Sequence, residues 1–135
     1  MTMEKESTIP GFFRRRELLE EKQPSKDTLR TLGSELAAQD LLDESLAFFV
    51  KAEDREGIER VLKESRQQGD TFTFEAALKA LGETASQGDW REVGEGALKT
   101  GLLWFAYRAF EKADHQPGLE KVRGIMKEKD ITPPS

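Results

Sequence analysis

The sequence predicts an all-α fold made of antiparallel helical hairpins set in tandem. Three observations carry that expectation. Apolar residues recur at helical spacing along most of the chain, no stretch alternates as a half-buried strand would, and one phrase is written twice. FFVKAEDREGIERV, Phe48–Val61, returns as AFEKADHQPGLEKV, Ala109–Val122. At the offset of 61 that joins Phe49 to Phe110, Lys51 meets Lys112, Ala52 meets Ala113, Gly57 meets Gly118 and Val61 meets Val122. Upstream, Gly33 falls on Gly94 and Leu41-Leu42 on Leu102-Leu103. Repetition on this scale marks stacked supersecondary units rather than one closed core.

The elements follow in order. Residues 1–26 form an N-terminal arm. In it Met1–Pro10 is expected to be disordered, while Phe12, Phe13, Leu18 and Leu19 suit a short amphipathic helix docked on the first hairpin. The repeat domain spans 27–129 and holds about seven helices. Leu29, Leu32 and Leu36 stripe the first, and Leu42, Leu46 and Phe49 the second. Ile58, Val61, Leu62 and Ser65 stripe the third; Phe74, Ala77, Leu78 and Leu81 the fourth. Trp90, Val93 and Ala97 belong to the fifth, and Leu102, Ala106, Ala109 and Phe110 to the sixth. Leu119, Val122, Ile125 and Met126 mark a last, capping helix over Pro117–Lys129, with Pro117 suited to a first turn. Gln68-Gly69-Asp70 and Gln87-Gly88-Asp89 each read as a left-handed glycine followed by a carboxylate at the next start. Asp89 with Glu92 has the spacing of a capping box. Short turns between such helices force neighbours to run antiparallel. Residues 130–135, with Pro133-Pro134, read as a frayed tail.

Composition narrows the function. A net charge of −5 argues against a general nucleic-acid binder. No apolar run approaches the roughly 20 residues of a membrane span, and the start lacks the apolar region of a signal peptide, so a cytoplasmic protein is expected. With one histidine and no cysteine, the donors of a zinc site are missing, and neither a metal nor a cofactor is expected. Gly94-Glu95-Gly96 lies inside a helical pattern and is no phosphate loop. His115 is expected at a turn, and Glu53-Asp54 as solvated charge, so no catalytic residue is assigned. Carboxylate-only catalysis stays formally open.

These residues resemble the tetratricopeptide (TPR) family, whose unit is a helix–turn–helix of about 34 residues. Trp90, Val93 and Gly94, then Ala106, Phe110 and Ala113, match its pattern at the right spacing, with Gly118 where proline is usual. Leu29, Leu32 and Gly33, then Ser45, Phe49 and Ala52, give a second match. Between them a shortened hairpin over 58–84 keeps the periodicity but not the signature. The resemblance implies a right-handed α-solenoid that binds an extended or helical protein segment on a concave face lined by the first helix of each hairpin. In this chain that face would carry Arg30, Ser34 and Ala37, then Glu59, Lys63 and Arg66, then Arg91, Glu95, Leu98 and Lys99, with Glu120, Gly124 and Lys127 from the last helix. Its cations would favour an acidic peptide. The chain contains no asparagine, so the Lys–Arg–Asn clamp by which some members hold a C-terminal carboxylate cannot form here. A competing expectation places an exposed aromatic surface at Trp104 and Tyr107, serving self-association as a homodimer or attachment within a larger complex.

Overall fold

The computed structural model describes residues 9–21 and 25–133, and among them every regular element is an α-helix. There are eight: α1 (Phe12–Glu20), α2 (Lys26–Ala38), α3 (Leu42–Lys51), α4 (Arg55–Gln68), α5 (Thr71–Leu81), α6 (Gln87–Lys99), α7 (Leu103–Lys112) and α8 (Gln116–Glu128). Contacts divide the chain into two compact units, Met1–Ile58 and Glu59–Ser135, with the boundary inside α4.

In unit 1, α2 packs along α3 and α1 packs on α3. Leu18, Leu29, Leu32, Leu36, Phe48 and Ala52 form its core. The Phe49 ring lies between two glycines. A Cβ on Gly33 would come 2.8 Å from that ring, and one on Gly57 closer still. Ser45 Oγ donates to the Gly33 carbonyl at 2.9 Å, so the small residues bring α2 and α3 together as expected. The amphipathic arm helix is α1, but only half of its apolar set is covered. Leu18 is buried while Phe12 and Phe13 are exposed, their rings edge to face at 5.6 Å. Arg15 holds Glu44 of α3 at 2.9 Å, and Lys51 donates to the Leu19 carbonyl. The expected disorder of Met1–Pro10 concerns residues that, apart from Ile9 and Pro10, lie outside the described range.

Unit 2 is built on the same formula. A Cβ on Gly94 would lie 2.6 Å from the Phe110 ring and one on Gly118 2.5 Å from it. Two clusters fill the interior. Phe74 and Trp90, edge to face at 5.0 Å, join Leu78, Val93, Ala109 and Ala113. Ala97, Ala106, Tyr107, Phe110, Leu119, Val122 and Met126 form the other.

The repetition extends to backbone detail. At an offset of 61, α2 and α3 fall on α6 and α7 end for end, and α4 starts where α8 does. The left-handed residues that close the helices pair likewise: Asp40 with Gly101, Glu53 with Asp114, Gly69 with Asp130. Each closes by the same two bonds. After α2, Asp40 N–H reaches Ala37 O and Leu41 N–H reaches Leu36 O; after α6, Gly101 reaches Leu98 O and Leu102 reaches Ala97 O. This double bond satisfies carbonyls a helix end would leave orphaned.

Four local expectations are corrected. α5 stops at Gly82, φ 67°, so Gly88 sits within α6 rather than ending a helix. The capping box there joins Ser86 to Asp89, not Asp89 to Glu92. Ala37, expected on an open face, is buried. The tail is not wholly frayed either. Ile131 N–H donates to Met126 O at 2.8 Å and its side chain packs on the Phe110 cluster, whereas Pro134 and Ser135 lie outside the described residues.

Candidate functional site

Helix α6 turns Trp90, Val93, Gly94 and Ala97 inward, which leaves Arg91, Glu95 and Lys99 on its exposed side. Helix α8 packs on both α6 and α7, buries Leu119, Val122 and Met126, and so presents Glu120, Lys121, Gly124 and Lys127 to solvent. Between α6 and the first turn of α8 lies a depression of about 200 Å³. Glu95, Leu98 and Lys121 flank it, His115 and Pro117 form one end, and Phe110 with Gly118 makes the floor. Small-molecule pockets run to roughly 300–1,000 Å³, so this hollow suits one side chain of a longer ligand.

Of the residues expected on the open face, Glu95 and Leu98 meet in that hollow, and Leu98 is half-buried against the Phe110 cluster. Arg91, Lys99 and Lys127 are exposed on the same two helices, and Lys63 is exposed on α4. Arg91 pairs with Glu95 at 3.1 Å one turn away. Arg66 is engaged within unit 2. It is part-buried and held by Asp89 at 3.5 Å and Glu92 at 3.9 Å, spanning α4 to α6. Arg30 and Ser34 are exposed on α2, in unit 1, with Arg30 lying 3.5 Å from Asp27. Arg30, Arg66 and Arg91 are thus each paired with a carboxylate of their own unit. Sequence reasoning missed Lys121 and Pro117 as wall residues. The only pointer was their place in the first two turns of the helix after Phe110.

The aromatic surface is half of what was expected. Trp104 is 49% exposed, but Tyr107 is 4% exposed and belongs to the core. Its hydroxyl accepts from Arg123 at 3.2 Å, and that guanidinium lies 5.6 Å from the ring centroid. On α7 residue 107 sits one position from Ala106, close enough to the inward stripe to turn its ring under α8. Phe72, 53% exposed, rests edge-on against Phe105 at 5.0 Å.

In unit 1 a hollow of about 360 Å³ separates α1 from α3, with Phe12, Leu19 and Phe48 as its apolar walls and Arg15, Arg16, Asp43 and Glu44 as its rim. Among the described residues no group of three or more His, Asp or Glu is placed to hold a metal. His115 is the residue before α8, its ring 5.6 Å from that of Phe110. No described helix is long and apolar enough to cross a membrane. Comparison with protein-family models, curated proteins and solved structures finds no match.

Proposed function

We propose that this chain is a TPR-like, non-enzymatic interaction module that captures an acidic protein segment on the α6–α8 face of unit 2. The observation that carries the reading is the hollow over Phe110, where apolar Leu98 and Pro117 sit within reach of Lys121 while Arg91, Lys99 and Lys127 stand on the same two helices. An apolar anchor of the ligand enters the hollow, and its carboxylates meet the flanking cations. Such a site reads a segment in extended or helical form, since one pocket of this size fixes register and charge supplies the rest. The cytoplasm, where an acidic helical module of this kind finds free protein segments, is the compartment in which we place it.

An array of synthetic acidic peptides carrying one apolar anchor tests the proposal. Arg91→Glu/Lys99→Glu should weaken capture at least tenfold, about 1.4 kcal/mol. The melting temperature should change little, because the exposed Arg91–Glu95 pair contributes well under about 1 kcal/mol. Undiminished capture by the variant would refute the basic face.

A second reading rests on Trp104. An indole exposed to this extent suits an interface anchor, and self-association through it predicts a dimer that Trp104→Ala dissolves, read by sedimentation across concentrations.

A further inference from the structure

Within unit 2 the end of α4 meets the C-terminal third of α6 backbone to backbone. Gly69, at φ 73°, lies so close that a Cβ there would overlap the Ala97 nitrogen. A Cβ on Gly96 would stand 3.0 Å from the Gln67 carbonyl oxygen and 3.1 Å from the Gly69 nitrogen. Arg66 spans this joint to Asp89 and Glu92, and Leu62 packs on the Phe74–Trp90 cluster.

The 61-residue offset gives α8 the role of α4 and gives α2 the role of α6. One molecule's α8 and another's α2 are thus the two halves of the same joint. Arg123, Lys127 and Asp130 are exposed on the first half and Thr28 and Thr31 on the second, where Glu35 is half-buried with one carboxylate oxygen covered. Arg123, Lys127 and Asp130 border one shallow depression, and Thr28, Thr31 and Glu35 border the other. Their chemistry, however, departs from the internal joint at each contact. Arg123, Lys127 and Asp130 stand where α4 and its turn have Leu62, Arg66 and Gly69; Thr28, Thr31 and Glu35 stand where α6 has Asp89, Glu92 and Gly96. Lys127 would meet hydroxyls instead of carboxylates. The two glycines have become two carboxylates, each with a Cβ where the internal joint holds only backbone.

We propose that Glu35 and Asp130 keep copies of this chain from pairing through this joint, because each sets a charged side chain where the internal joint has a glycine in close contact with backbone. A protein whose repeat ends match its own interior carries the risk of open-ended growth, and repulsive groups at the ends remove it. The inference rests on the α4–α6 joint and is independent of peptide binding.

Sedimentation velocity on four samples tests it: wild type, Glu35→Gly, Asp130→Gly, and the two single variants mixed. Each single variant still presents one carboxylate to every joint and should remain at monomer mass. The mixture brings a glycine end to a glycine end and should gain a species of twice the mass, while the double variant in one chain should grow further. Mixing separates this contact from one through Trp104, which either single variant would show alone. The chain has no cysteine, so cysteines placed at Thr31 and Lys127 report the joint by cross-linking between molecules. Cross-linking in a Thr31→Cys/Lys127→Cys chain that keeps Glu35 and Asp130, or a mixture and double variant that stay monomeric with full helical circular dichroism, overturns the proposal. Should Glu35→Gly fail to fold, Gly96→Glu puts the barrier inside unit 2 instead. It should lower the melting temperature by more than about 10 °C, and an unchanged value is equally fatal.

Discussion

Glu53 and Asp114 hold the same turn in the two copies, at φ 53° and 49°, a conformation that costs an L-residue roughly 1–2 kcal/mol and glycine almost nothing. Asp offsets part of that cost with its short polar side chain; Glu does not. Glu53→Gly should therefore stabilise the protein by about 0.5–1 kcal/mol after the glycine entropy is subtracted, although it breaks the exposed Lys26–Glu53 pair at 3.4 Å, which is worth little. Thermal melts of the two proteins check the sign. The opposite holds at Gly33, where a methyl would press on the Phe49 ring. Gly33→Ala should cost about 1–3 kcal/mol by overpacking, and Phe49→Ala about 3–5 kcal/mol by leaving a cavity. The double variant should lose less than the sum of the two, because the smaller side chain makes room for the methyl. Phe49, Gly33 and Gly57 are all legible in the sequence as letters that recur at the offset of 61. That Gly57 closes the other side of the same ring is not, since nothing in its spacing says which way the first turn of α4 faces.

At the scale of elements, α6 shows how a cap is missed. Gly88-Asp89 imitates a helix stop followed by a start, yet the real stop is Gly82 and the real cap Ser86. Ser86 Oγ accepts from Asp89 N–H at 3.1 Å, while the Asp89 carboxylate accepts from Ser86 N–H at 3.2 Å. Recognition of this box needs the left-handed turn at Gly82 first, and that glycine competes with Gly88 on equal terms in a linear reading. Asp89 also receives Arg66 from α4. Ser86→Ala should cost about 1 kcal/mol. Asp89→Ala should cost at least as much, because it removes the reciprocal half of the box and an ion pair that is only part-exposed. Urea denaturation measures both, with unchanged slopes showing that the loss is in native stability. Helix α1 is the converse case. Its apolar letters announce a helix, but they do not tell that Phe12 and Phe13 would stay at the surface while Leu18 anchors it, because the anchor is chosen by the groove beside α3.

For the molecule as a whole, an acidic ligand on a chain of net charge −5 sets a long-range repulsion against a short-range attraction. At about 0.01 M salt the screening length is roughly 30 Å, so an approaching peptide feels the total charge and is repelled. Near 0.15 M it falls to about 8 Å. The distant carboxylates are then hidden, while Lys121 in the wall of the α6–α8 hollow and, on the proposed reading, Arg91 and Lys99 on the exposed side of α6 would still act. Toward 1 M, at about 3 Å, these too are screened and only apolar burial over Phe110 remains. Affinity for an acidic, singly anchored peptide should thus pass through a maximum at intermediate salt. In Arg91→Glu/Lys99→Glu the maximum should vanish, leaving weak binding that strengthens steadily with salt, because the face then carries the same sign as the rest of the molecule. Fluorescence anisotropy of a labelled peptide across that range distinguishes the two curves. A monotonic fall from the lowest salt would mean that the local cations outweigh the net charge at every distance, and would move the site to a more basic surface than α6 and α8 provide.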